Sequence, residues 1–183
     1  DGDDGVVWES ALPDGSGGGD LTTSGTLEVD TGNDALGVRQ VQDVTGTWID
    51  ITADGTTVQG QYGELSVDLD GSWTYTLSDN TLDHDGDDLT GDDDQVQDAF
   101  QVRATDSDGD LSPEATLTVD INDDGPSAKA DAVTQAQEND PVLVDVLAND
   151  EVGADGVDLT TGVAVVAGSL TGSGDLVYND NGT

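Results

Sequence analysis

Apolar residues in this chain recur at every second position in short runs, and the runs are punctuated by Gly, Asp, Asn or Pro. Ser72 to Leu77 is the clearest case, with Trp73, Tyr75 and Leu77 on one face and Thr74 and Thr76 on the other. A period of two is the signature of a half-buried β-strand, because successive side chains point to opposite faces of the pleat. Similar runs span Val6 to Glu9, Gly25 to Asp30, Leu36 to Val41, Thr47 to Ile51, Thr56 to Gln61 and Gly63 to Leu69. Asp70-Gly71 between the last of these and Ser72 is a strong hairpin signal. Val96 to Thr105, with Phe100, Val102 and Ala104 inward, has Ala115 to Ile121 as its expected hairpin partner. No segment shows helical periodicity. Many short strands separated by turns predict an all-β protein built from antiparallel β-sandwiches.

The last strand of this series ends in a cluster of side-chain oxygens. Leu117, Val119 and Ile121 alternate with Thr118 and Asp120, and Asn122, Asp123, Asp124, Gly125 and Pro126 follow. Proline has no amide to give a ladder, so Pro126 stops the strand. This hinge divides the chain into a first unit, 1–124, and the start of a second, 125–183. In the second unit Ala130 to Gln135, Pro141 to Leu147, Leu159 to Val166 and Asp175 to Tyr178 read as strands. A unit this short is marginal by itself. The expectation is a sandwich that is truncated, or that is completed by a strand from a donor segment.

Charge narrows the function. The 183 residues hold 41 Asp and Glu against 3 Lys and Arg, a net charge of −38. Such a surface repels nucleic acid and anionic membrane, and it favours divalent cations as partners. No apolar run is long enough to insert in a membrane. Glu stands only at positions 9, 28, 64, 114, 138 and 151, and every other acid is Asp. Asp is short and turn-forming, which suits chelation within loops. An acidic β-sandwich adapted to high salt, without specific metal sites, is the alternative on composition. The sequence has no Cys, which excludes disulfides and thiolate metal sites.

The acids collect between strands. One cluster holds Asp1, Asp3 and Asp4. A second, from Asp83 to Asp94, includes Asp83, Asp85 and Asp87. A third is Asp106, Asp108 and Asp110, and the hinge supplies Asp120, Asn122, Asp123 and Asp124. A weaker one follows with Asn149, Asp150, Asp155 and Asp158. Alternating Asp residues in a tight turn aim several carboxylates at one point, as an oxygen-ligated Ca²⁺ requires. Neither long cluster is an EF-hand, since the sixth loop position, which needs Gly, is Leu111 counted from Asp106 and Asp88 counted from Asp83. Strand direction sorts the clusters by end. The Asp106–Asp110 turn and Asp1–Asp4 fall at the end opposite the hinge, while Asp83–Asp94, Asn149 and Asp150 fall at the hinge end. Ions at both ends would stiffen a string of domains.

The hinge motif DINDDGP resembles the cadherin inter-repeat linker Asp-x-Asn-Asp-Asn-x-Pro, with Asp124 in place of the second Asn. More of the chain resembles the tandem extender repeats of large bacterial RTX adhesins exported by type I secretion. The matching pieces are ESALPDGS (Glu9 to Ser16), YGELSVDLDGSWTYTL (Tyr62 to Leu77), DAFQVRATDSDGDLS (Asp98 to Ser112) and NDDGPSAKAD (Asn122 to Asp131). VLVDVLANDEVGADG (Val142 to Gly156) resembles the start of a bacterial cadherin-like repeat. The resemblance implies tandem Ig-like sandwiches with interdomain Ca²⁺, neighbouring repeats as partners, a secreted or bacterial cell-surface location, and a role in adhesion or biofilm. It also implies that Asp120, Asn122, Asp123 and Asp124 are linker ligands, that Asp150 is a ligand from the following unit, and that Glu9 matches an acid of the first strand.

Enzymatic readings fare worse. The single histidine, His84, sits in the most acidic loop, where nothing buries or orients an imidazole for a catalytic triad. The acids lie in Gly-rich loops, which favour ionised chelation over the raised pKa of a hydrolytic acid. The expectation is a protein that is not an enzyme. Trp8, Trp48 and Trp73 offer the alternative of Ca²⁺-dependent glycan binding, in which an exposed indole stacks on a sugar. Trp73 reads as core from its alternating neighbours, whereas Trp48 shares its face with Asp50.

Overall fold

The computed structural model describes residues 5–81, 95–138, 140–166, 168 and 175–183. Among these residues nine strands form: β1 Val6–Trp8, β2 Thr22–Thr26, β3 Leu36–Gln42, β4 Trp48–Ile51, β5 Thr56–Gln59, β6 Gly63–Val67, β7 Ser72–Leu77, β8 Gln95–Asp106 and β9 Ala115–Asn122. They make a five-stranded sheet in the order β1-β9-β8-β3-β4 and a four-stranded sheet in the order β2-β7-β6-β5. One 3₁₀ turn, Glu9–Ala11, follows β1. Among the described residues the protein is an all-β sandwich.

The period-two pattern decides what is buried. In β7, Trp73, Tyr75 and Leu77 are buried while Thr74 and Thr76 face solvent. Leu65 and Val67 of β6, Phe100 and Ala104 of β8, and Leu117, Val119 and Ile121 of β9 complete the core between the sheets. Tyr75 and Phe100 meet edge-to-face across it, with ring centroids 6.1 Å apart. Each of these large side chains contributes about 1.5–3 kcal/mol by leaving water. The two expected hairpins form. Residues of β6 and β7 pair from Gly63↔Leu77 to Val67↔Trp73, closed by Gly71 at φ +94°. Residues of β8 and β9 pair from Gln95↔Asn122 to Val102↔Ala115.

Three features depart from expectation. The strand expected at Gly25 to Asp30 lies earlier, at Thr22–Thr26, where it meets β7 with Gly25 opposite Trp73. A Cβ on Gly25 would come within 2.7 Å of the indole, so the glycine is what lets that strand cross the tryptophan. Second, β1 runs parallel to β9 (Val6↔Asp120 to Trp8↔Asn122) within an otherwise antiparallel sandwich. A hairpin cannot join parallel neighbours, and here the remaining strands serve as the long connection. Third, the strands expected at Ala130 to Gln135, Pro141 to Leu147, Leu159 to Val166 and Asp175 to Tyr178 do not form among the described residues after the hinge. Alternation gives a segment two faces, but a ladder also needs a partner at the right register. The only pairing there is the isolated bridge Ser127↔Glu151. Leu143, Val166 and Val177 stay about 70% exposed as a result.

Candidate metal centre

The β8–β9 hairpin sets the two ends of the sandwich. Gln95 and Asn122 mark the hinge end, and the turn after Asp106 marks the far end. In that turn Asp106 N donates to the Asp110 carbonyl at 3.1 Å, and Gly109 adopts φ +98°. Asp106 Oδ1 accepts the amides of Gly109 (3.0 Å) and Asp110 (2.8 Å), so the first acid of the motif folds its own loop. Asp108 then lies beside Asp106. A third acid comes from elsewhere: Leu36 of β3 pairs with Asp106, which brings Asp34, two residues earlier, to the same end.

One carboxylate oxygen each from Asp34, Asp106 and Asp108 lies within 4.8 Å of the others. Two oxygens bound to one Ca²⁺ at 2.3–2.6 Å can be at most about 5 Å apart, so the spacing fits a shared cation. Asp34 and Asp108 are exposed and Asp106 is partly buried, which leaves room for water or a neighbouring residue to complete a six- to eight-oxygen shell. Proton affinities reflect the crowding. The hydrogen bond with Asp108 holds the Asp106 carboxyl below its ordinary range, helped by the backbone amides of the turn. That same bond, together with the Asp106 charge, pushes the Asp108 carboxyl up. A divalent cation would offset the repulsion between the two carboxylates and favour the charged form of both. The triad can hold a metal ion.

The other acids expected as ligands are placed differently. Asp110 contributes its backbone amide to the turn but is not one of the three converging carboxylates. At the hinge end, Asp120 Oδ1 accepts Gln97 Nε2 at 2.8 Å, and Asn122 Oδ1 accepts Gln95 Nε2. Asp124 is 6% exposed and spends both oxygens on Ser16, one on the backbone amide at 2.7 Å and one on the hydroxyl. Glu9 is fully buried and accepts the Thr81 amide at 2.6 Å. Asp123 is half-buried beside them. Asp150 Oδ1 accepts the Lys129 amide at 2.6 Å. Asp124, Glu9 and Asp150 thus hold backbone amides of distant segments, Asp120 and Asn122 bind cross-strand glutamines, and among the described residues these acids form no second converging group of three. Asp3, Asp4, Asp83, Asp85, Asp87 and His84 lie outside the described residues.

The structure adds two acids that the motifs did not mark. Asp34 stands in an ordinary-looking loop; its sequence signal is that residues just before β3 must lie beside those just after its antiparallel neighbour β8. Asp98 is 3% exposed inside the sandwich, accepting the amides of Gln61 and Tyr62 (both 3.1 Å) and the Tyr75 hydroxyl (3.0 Å). As for the tryptophans, Trp73 is in the core and Trp8 packs against Gly19. Trp48 carries the Arg103 guanidinium stacked over its ring at 3.7 Å, and Arg103 Nε donates to Gln40 Oε1 at 2.8 Å. One face of the best candidate for a sugar platform is therefore covered. Comparison with known proteins returns no matching family model and no similar curated sequence.

Proposed function

We propose that this chain is a non-catalytic spacer module, stiffened by Ca²⁺, from a secreted adhesin of the bacterial cell surface. The observation that carries it is the convergence of Asp34, Asp106 and Asp108 at the end of the sandwich opposite the hinge. A cation site at the end of the sandwich would be suited to tie that unit to its neighbour. The net charge of −38 supplies the electrostatic reason, since only 3 basic side chains offset 41 acids and end-to-end contact between such units is repulsive without added cations. The Ig-like character, tandem arrangement, export and adhesive role rest on the sequence resemblance to extender repeats. Metal identity rests on the all-oxygen donor set, which suits a hard cation.

Binding to the folded state alone stabilises it by about 2.7 kcal/mol at a hundredfold excess of ion over Kd. The test is a melting series in EGTA, in millimolar Ca²⁺, and in NaCl at matched ionic strength. The expected outcome is a rise in Tm specific to Ca²⁺, abolished by Asp106→Asn. Equal stabilisation by both salts would instead identify an acidic domain adapted to salt.

A further inference from the structure

The chain leaves the sandwich at Asp124 and comes back to it. Ser127 and Glu151 exchange backbone hydrogen bonds of 2.7 and 3.0 Å, and the Lys129 ammonium meets Glu151 Oε1 at 2.6 Å. These contacts turn residues 151–156 toward the hinge. Gly153, at φ +73°, then lies so close to the Asp124 carbonyl that a Cβ would sit 1.9 Å from the oxygen. Ala154 is 7% exposed and joins the hydrophobic core cluster of the sandwich. Asp155 Oδ1 accepts the Asn80 amide at 2.6 Å, across 75 positions of sequence. The Gly156 amide returns to the Gly153 carbonyl at 3.2 Å, closing the turn.

We propose that the Gly153–Gly156 turn is a latch that fixes the direction in which the chain leaves the sandwich, and that it does so without a cation. A single covalent linker can swivel about its backbone dihedrals, whereas attachment at a second point removes that freedom. The latch consists of apolar burial, backbone contact and a neutral amide donating to a carboxylate, and the Glu151 charge beside it is met by Lys129 of the same chain, so its closing needs no added cation. This differs from a cation bridge, which draws acids together only when the ion is present. The inference does not depend on the Asp34–Asp106–Asp108 site, which lies at the other end of the sandwich.

The sequence has no Cys, so Thr57→Cys on the sandwich and Ala148→Cys beyond the hinge give a unique pair of sites for spin labels. Both positions are exposed. Pulsed dipolar spectroscopy on the full chain in EGTA should give one narrow distance peak, unmoved by millimolar Ca²⁺. Adding Ala154→Asp, which places a charge in the socket, should replace that peak with a broad distribution. Asn80→Ala removes only the exposed hydrogen bond and should broaden the peak partially while the sandwich melts as before, which separates unlatching from unfolding. A broad distribution for the parent in EGTA that narrows only with Ca²⁺ would overturn the latch and leave a cation-made joint in its place. A narrow peak unchanged by both substitutions would overturn it as well.

Discussion

Asp98 gives the sharpest test of how this sandwich is held together. Its carboxylate projects from β8 of the larger sheet and accepts two amides, from Gln61 and Tyr62 after β5, and the hydroxyl of Tyr75 on β7. It therefore rivets one sheet to the other from within the sandwich. The Tyr75 phenol is pushed well above its usual range by burial first and by the Asp98 charge second, so it remains a donor throughout the working pH range. Replacing Asp98 with Ala strands the buried Tyr75 hydroxyl, at about 1–3 kcal/mol, and also removes the acceptor of the part-buried Gln61 and Tyr62 amides, at less each because water reaches them. Relief of the buried charge offsets part of this, which leaves a net loss of about 2–4 kcal/mol. Against a total stability of roughly 5–15 kcal/mol that is a large fraction. At about 3 °C per kcal/mol for a domain of this size, Tm should fall by roughly 6–12 °C. Tyr75→Phe removes one donor and leaves the carboxylate with two amides, so it should cost only about 1–2 kcal/mol. Urea and thermal unfolding, followed by the fluorescence of the three tryptophans, measure both. An Asp98→Ala protein as stable as the parent, or no more destabilised than Tyr75→Phe, would refute the rivet.

Two further outcomes follow from local geometry. Gly60→Ala should destabilise by about 1–3 kcal/mol in the same assay, because a Cβ there would lie 2.3 Å from Asp98 Oδ2 and 2.6 Å from the Phe100 ring and would overpack the core. The Asp158 carboxyl is lowered to about 2 by hydrogen bonds from the Thr161 and Thr160 hydroxyls and the Thr160 amide. A depressed carboxylate stabilises the fold above its unfolded pKa and loses that contribution as pH falls through the folded one, so the turn should loosen between about pH 4 and pH 2. Amide exchange at Thr160 across that range reads it directly, and protection that rises on acidification would contradict the assignment.

Local rules made most of the sandwich legible. Alternation in Ser72–Leu77 places Trp73, Tyr75 and Leu77 inward because a pleated strand has only two faces, and Asp70-Gly71 closes the hairpin because Gly71 tolerates φ +94°. The same parity, counted back from Phe100, puts Asp98 inside, although no local rule names Gln61, Tyr62 and Tyr75 as its partners. The Asp106–Asp110 turn was visible as a ligand-rich loop, since its acids are neighbours in sequence. Asp34 was not, because it reaches the site through the pairing of β3 with β8. At the hinge the motif marked the oxygens but not their use. Ser16 claims both oxygens of Asp124, and cross-strand glutamines claim Asp120 and Asn122. Past the hinge, apolar alternation alone was insufficient for strands, because pairing is a property of two segments and these found no ladder. The sequence by itself thus determined what is set by period and turn chemistry: an all-β chain, its inward faces and its acidic loops. Tertiary structure alone decided which distant acids converge, which are spent on anchoring loops, and how Ala154 returns to the core, because each depends on strand pairing and packing between residues far apart in the chain.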